Sequence, residues 1–239
     1  MNSNINKKAK FIDLGLMDYK EAWDYQTDLF TKILSVKTEN RNLSAADQKQ
    51  TDNFLLFCEH PHVFTLGKSG KESNLLVKKE ELSAIQATYY HINRGGDITY
   101  HGPGQIVVYL VLDLENFFTD IHRYMRLLEE SVIQTLSEFH IESGRIPDLT
   151  GVWLDAEVAH KARKISAQGV KTSRWVTLHG LAFNVNTNLH YFDYIVPCGI
   201  DNKAVTSLEK ETGARQDMES IKKILKEKIV SLFEMTLVN

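Results

Sequence analysis

The chain has little cysteine, little proline, no long apolar run and no excess of charge of one sign. Its two cysteines, Cys58 and Cys198, lie far apart, so they do not make the dense framework of a small secreted scaffold and are expected to be free thiols in a reducing compartment. Four prolines in 239 residues build no Pro/Gly-rich linker, and no repeat or low-complexity tract divides the chain, so one domain over residues 1–239 is expected. The longest apolar run, 106–112, ends at Asp113, far short of the roughly 20 residues of a membrane-spanning helix; it is expected to be a buried strand. With 28 Lys+Arg against 31 Asp+Glu the net charge is −3, which lacks the electrostatic footprint of a general nucleic-acid binder. Residues 1–11 are rich in Asn and Lys and have no apolar signal region, so a cytoplasmic protein is expected, with 1–15 as a flexible extension.

What remains is ordinary globular composition, 43% hydrophobic and 25% charged, long enough to bury a core without disulfides or structural metal. Asp18 and Glu21 offer a helix start, and Ala22, Tyr25, Leu29 and Ile33 follow at helical spacing to about Ser35. Residues 37–53 are polar and are expected to be a loop insertion. Segments 54–58, 88–92, 98–100, 106–112, 152–154 and 175–185 are rich in β-branched or aromatic residues and predict strands. Ile121, Tyr124, Met125, Leu128, Val132, Thr135, Leu136 and Phe139 mark a second amphipathic helix, and Asp217 caps a final one. The expected class is mixed α/β, a sheet flanked by helices.

Four of the chain's thirteen glycines fall in 94–105, Arg-Gly-Gly-Asp-Ile-Thr-Tyr-His-Gly-Pro-Gly-Gln, so backbone there must approach something closely. Arg94, Thr99, Tyr100 and His101 would give a ligand donors, an aromatic wall and a titratable group; a pair of tight hairpin turns explains the glycines equally well. Cys198 sits between Pro197 and Gly199, which suits an exposed nucleophile, whereas a free cysteine is also commonly a small buried hydrophobe. A thiol of pKa about 8.5 is only ~3% thiolate at pH 7 and needs a cation or base beside it. Two pKa units require about 2.7 kcal/mol, less than the ~4 kcal/mol of one ammonium about 4 Å away at an effective dielectric of 20. Lys161, Arg163, Lys164, Lys171 and Arg174 supply cations; as a group they read either as a solvated basic face or as a dock for an acidic carrier. His101 and His179 are alternative bases. Cys58, His60 and His62 alternate with period two and could face one metal, but Pro61 interrupts the strand and no second Cys/His pair completes a tetrahedral set.

Taken together, these segments resemble the lipoyl(octanoyl) transferases of lipoate biosynthesis, whose signature R-G-G-x-x-T-aromatic-H-G-P-G-Q is matched from Arg94 to Gln105. The resemblance extends over 59–67, 151–153, 164–170, 173–182, 184–186, 191–200 and 205–208, an alignment running from about Phe54 to the C-terminal helix, roughly four-fifths of the chain. It implies the fold shared with lipoate and biotin protein ligases and a Cys–Lys pair, with Cys198 taking the acyl group and Lys164 lowering its pKa and shuttling its proton. By the same resemblance Arg94, Gly95, Gly96, Asp97, Ile98, Thr99, Tyr100 and His101, with Ala167, Gln168 and Gly169 and with Gly180, Leu181 and Ala182, line the acyl and pantetheine site, His179 being auxiliary. The implied donor is the octanoyl-phosphopantetheine of an acyl-carrier protein, with no ATP or metal required. The implied acceptors are apo lipoyl domains of 2-oxoacid dehydrogenase E2 subunits and the glycine-cleavage H protein. His62 stands where the family often has a second Pro, Thr150 replaces the Pro before Gly-Val-Trp, and Gln168 replaces an aliphatic residue, bearing on acyl chain length. The competing expectations are an ATP-dependent lipoate ligase on the same fold and a non-catalytic module that binds lipoyl domains or acyl carriers.

Overall fold

The apolar run becomes β6 (Gln105–Val111), a strand whose seven residues are all buried. Its alternate side chains enter two separate cores: Ile106, Val108 and Leu110 on one face, Val107, Tyr109 and Val111 on the other. In a computed structural model that describes residues 5–196 and 204–238, β6 lies at the middle of a mixed sheet. It pairs antiparallel with β2 (Phe54–Glu59) on one side and with β10 (Val176–Asn184) on the other. Beyond β10 follow β9 (Arg163–Ser173), β8 (Leu149–Leu154) and β7 (Gly144–Ile146), all antiparallel. Beyond β2 lie β1 (Lys8–Leu16) and β12 (Thr236–Val238), both parallel additions. The short β11 (Ala204–Val205) runs parallel to the start of β9.

Helix α1 (Tyr19–Asn40) covers one face with Ala22, Leu29, Phe30 and Ile33. On the other face lie α2 (Ile121–Ser137), through Tyr124, Leu128, Val132 and Leu136, and α4 (Met218–Leu232), through Ile221, Leu225 and Ile229. Asp18, Asp120 and Asp217 accept hydrogen bonds from the first turns of α1, α2 and α4, each satisfying an amide the helix leaves unpaired. A short α3 (Leu208–Thr212), capped by Ser207, precedes α4. A second sheet of three strands, β4 (Thr88–His91), β3 (Val63–Leu66) and β5 (Ile98–His101), stands beside the first and carries the glycine-rich segment. No helix among the described residues is long and apolar enough to cross a membrane.

Several expectations are corrected. Residues 8–15 belong to β1 inside the large sheet, held between two parallel neighbours, although both faces of the strand mix polar with apolar residues. The first helix runs past Ser35 to Asn40, so part of 37–53 is helical, and the remainder is tied down. Lys37 pairs with the buried Asp113 at 2.6 Å, Thr51 donates to the same carboxylate at 2.9 Å, and Asn53 accepts the Asp113 N–H at 3.0 Å. The basic stretch runs through β9, with Lys161 and Arg174 just beyond its ends, and its cations are received by different parts of the fold. Arg163 makes a bidentate pair with Glu211 and a further bond to Asp155, Lys171 lies over the Phe30 ring, and Arg174 donates to Thr38.

Candidate functional site

A cavity of about 670 Å³ opens between β9, β10, the glycine-rich segment and the first turns of α2, within the range of small-ligand pockets. The segment 94–97 is laid across the sheet. Gly95 N–H donates to Val170 O at 3.0 Å, while the amides of Gly67, Lys68 and Ser69 donate to Asp97, Arg94 and Gly96. Arg94 is buried and turned inward: its guanidinium donates to Thr65 O at 2.6 Å, to Thr65 Oγ1 at 3.0 Å and to Gly95 O at 3.0 Å. Gly169 makes this close approach possible, since a Cβ there would lie 3.0 Å from Arg94 Cδ and 3.1 Å from Gly95 O. The other half of the motif is a turn, with Gln105 N–H donating to Gly102 O at 3.1 Å between β5 and β6. The turn reading thus describes residues 102–105, while residues 94–99 lie on the cavity wall.

Of the expected binding residues that the structure describes, all line the cavity except Tyr100. Its side chain is fully buried on the far side of β5, stacked on Tyr191 at 4.9 Å and donating to or accepting from His62 Nδ1 at 2.7 Å. Alternation along a strand explains this: Thr99 and His101 face the cavity, and Tyr100 between them faces the small core. Of Cys58, His60 and His62, the first two lie together, Cys58 Sγ 3.7 Å from His60 Nδ1, and His62 stands apart from them. His60 lies between Met17 O and the Tyr109 hydroxyl, and His62 is stacked on Tyr191 at 4.0 Å.

Three buried histidines beside the cavity, His60, His101 and His179, are neutral groups. Gln105 donates its amide to Asn184 and to Tyr100 O, so its carbonyl oxygen accepts, and His101 Nδ1 must be the donor at 2.7 Å. Likewise His60 Nδ1 donates to Met17 O at 2.7 Å, leaving Nε2 to accept the Tyr109 hydroxyl at 2.6 Å. Burial lowers His60 to about 4, and burial together with neighbouring His60 lowers His101 to about 3. His179 is lowered to about 3 by burial and by the Arg94 charge. It adopts φ +68°, a left-handed conformation that strains a non-glycine residue by about 1–3 kcal/mol, and its Nε2 is buried with no hydrogen-bond partner among the described residues. At neutral pH it offers the cavity a hydrogen-bonding imidazole and is a weak base.

Lys164 stands at the other end of β9, on the cavity wall. Its Nζ lies 4.6 Å from the centre of the Trp153 ring, a cation–π contact. Lys164 also takes β11 as a neighbour: Val205 is its register partner, and Thr206 N–H donates to Lys164 O at 2.9 Å. Cys198 and its neighbours Pro197, Gly199 and Ile200 lie outside the described residues. The described residues nearest them are anchored on both sides, Val196 N–H donating to Asn74 O at 2.8 Å and Ala204 pairing with Arg163 beside Lys164.

Sequence reasoning missed several lining residues: Tyr19 and Tyr109, Ile121 and Met125 of α2, and Glu129. Glu129 carried a signal, since it falls four residues after Met125 and three before Val132, on the buried stripe of α2, where a carboxylate needs a reason to be.

Residues 18–230 match the lipoyl protein ligase A/B catalytic domain family. The chain is 55% identical over 239 residues to the octanoyltransferase of Cytophaga hutchinsonii, covering 100% of this chain and 98% of that one. It is 55% identical over 234 residues to the octanoyltransferase of Christiangramia forsetii, covering 98% and 99%, and 49% identical over 213 residues to that of Bacteroides fragilis, covering 89% and 92%. Among solved structures, lipoate-protein ligase A bound with ATP superimposes with a TM-score of 0.63 at 13% identity, covering 98% of this chain and 90% of that one. The bipartite lipoate protein ligase of Thermoplasma acidophilum does so with 0.62 at 14%, covering 97% and 88%. These two likenesses establish the expected mixed α/β fold, while the family match and the full-length identities go further: this chain belongs to the lipoyl protein ligase A/B catalytic domain family.

Proposed function

We propose that the protein transfers an octanoyl group from the phosphopantetheine thioester of an acyl-carrier protein to the ε-amine of a lysine on an apo lipoyl domain, through a thioester on Cys198. The observation that carries this reading is the full-length identity to octanoyltransferases, and the cavity with Lys164 on its wall supports it. In the first step the Cys198 thiolate attacks the thioester carbonyl, and the pantetheine thiol leaves with a proton relayed by Lys164. One thioester replaces another of similar energy, so the step needs no ATP and no metal. In the second step the acceptor amine attacks the acyl-cysteine and gives up a proton to Lys164, left neutral by the first step, Cys198 leaves as the thiolate, and the product is a more stable amide. That difference drives the overall transfer. E2 subunits of 2-oxoacid dehydrogenases and the glycine-cleavage H protein are the acceptors this chemistry serves.

Intact-protein mass spectrometry after brief incubation with octanoyl-acyl-carrier protein, without ATP, tests the reading. Wild type is expected to gain one octanoyl increment that apo lipoyl domain discharges, and Cys198→Ala to gain none. Lys164→Ala is expected to slow acylation by two orders of magnitude or more, about the contribution of a positioned proton-transfer group. An increment on Cys198→Ala overturns the covalent route, and product from free lipoate only with ATP replaces the transferase with a ligase.

A further inference from the structure

One carboxylate on the cavity wall is bound in a way that an ordinary ion pair does not require. Glu129 of α2 is 1% exposed. Its Oε2 accepts from Arg126 at 2.7 Å and from Arg145 Nε at 2.9 Å, while Arg145 also donates to Glu130 at 2.7 Å and to Arg126 O at 3.0 Å. With that oxygen held by two guanidinium groups, Oε1 is aimed at β8, where it accepts the Gly151 N–H at 3.0 Å. Gly151 is the residue against which Lys164 lies. It adopts φ +135°, and a Cβ there would fall 3.0 Å from Lys164 Cε, 3.3 Å from Cδ and 2.9 Å from Ser166 O. The β8–β9 register shifts by one residue just beyond, between Val152, opposite Ser166, and Trp153, opposite Lys164. Gly151 and Trp153 thus form two sides of the slot in which the Lys164 side chain runs, and a bulge in the ladder leaves their spacing free to vary unless something outside the ladder sets it.

We propose that Glu129 is a positioning residue for Lys164: by holding the Gly151 N–H it fixes the slot formed by Gly151 and Trp153, and so the point at which the Lys164 amine is presented. Arg126 and Arg145 fix Glu129 in turn, linking α2 and β7 to the reacting end of the cavity. This inference rests on Lys164 and Cys198 acting as a pair, as proposed above.

The distinction between reach and charge gives the test. Glu129→Asp keeps the charge for both arginines but is one methylene too short to reach Gly151. Glu129→Gln keeps an oxygen within reach and loses the charge. Both proteins, with wild type and Lys164→Ala, are checked for native circular dichroism, and the rate of alkylation by iodoacetamide is followed from pH 5 to 10. The signal belongs to Cys198, because the other thiol, Cys58, is fully buried and pushed up to about 12 by its burial. Lys164→Ala is expected to return the Cys198 profile toward the ordinary thiol value of about 8.5. Glu129→Asp is expected to move it the same way by about one pH unit, about tenfold slower alkylation on the acid limb, with kcat of octanoyl transfer falling in parallel and KM little changed. Glu129→Gln must turn its NH2 either toward the two guanidinium groups or toward the Gly151 N–H, and is expected to shift the profile in the same direction as Glu129→Asp and by no more. A wild-type profile in Glu129→Asp, or a shift in Glu129→Gln without one in Glu129→Asp, overturns the proposal. Lys164→Ala with an unshifted profile overturns the dyad itself, so the two failures are distinguishable. Should Glu129→Asp not fold, Gly151→Ala narrows the same slot from the opposite side; it is expected to give the same shift, and its absence overturns the proposal.

Discussion

Gln168 concentrates the conflict between a strand's demands and a ligand's. Its amide nitrogen donates to Ser166 Oγ at 3.1 Å, but its carbonyl oxygen is buried without a hydrogen-bond partner among the described residues, and the side chain lines the cavity. An unsatisfied buried acceptor destabilises by about 1–3 kcal/mol. Gln168→Leu is therefore expected to raise stability by about 1 kcal/mol, read from the urea midpoint at unchanged slope. It should also change acyl preference. Each buried methylene favours binding by about 0.8 kcal/mol, so two more placed against leucine rather than a lone carbonyl oxygen are expected to raise decanoyl over octanoyl turnover about tenfold in kcat/KM. An unchanged decanoyl-to-octanoyl ratio would place the acyl tail elsewhere in the cavity.

At the scale of elements, local signals and tertiary ones separate cleanly. Asp18 caps α1 by accepting from Lys20 N at 2.7 Å and Glu21 N at 3.3 Å, and Asp18→Ala is expected to lower the unfolding free energy by about 1 kcal/mol, checked by chemical denaturation. Such caps, the stripe of α2 and the two-faced burial of β6 were legible because each depends on residues near in sequence. β9 was not. Its lysines and arginines look like a solvated face until the fold supplies Glu211, Trp153 and Phe30 to receive them one by one. β1 escaped for a related reason: Lys8 and Lys10 are exposed on one face and Asp13 pairs with Lys222 on the other, and only the pairing with β2 and β12 makes it a strand. In the candidate site, the lining by 94–99 and by 167–169 was legible as motif, whereas Tyr100 was misplaced because a motif does not show which residues alternate away. Glu129 went unnoticed because its partners, Arg145 and Gly151, come from strands that follow the helix.

For the whole molecule, the consequence of building a cavity over the middle of a sheet is a set of histidines whose protonation burial resists while the protein is folded. His60, His101 and His179 sit about 4, 3 and 3, below the ordinary value of about 6.5 that each recovers on unfolding. The unfolded chain therefore binds more protons than the folded one throughout this window, so stability rises with pH across it, levels off above about 7, and is lost as pH falls below 6.5. Each group approaches about 1.4 kcal/mol per pH unit, and three together about 4 kcal/mol per unit between pH 6 and 4. Against a total of about 5–15 kcal/mol for a folded domain, this is enough to unfold the protein before its carboxylates titrate. Urea midpoints at pH 7.5, 6.0 and 5.0 are expected to be highest at 7.5 and to fall steeply between 6.0 and 5.0, with a shallower fall in His60→Asn, which no longer contributes a titrating imidazole. Midpoints that stay level from pH 7.5 to 5.0 would mean that the interior admits the protons, and the neutral tautomers assigned to His60 and His101 would have to be abandoned.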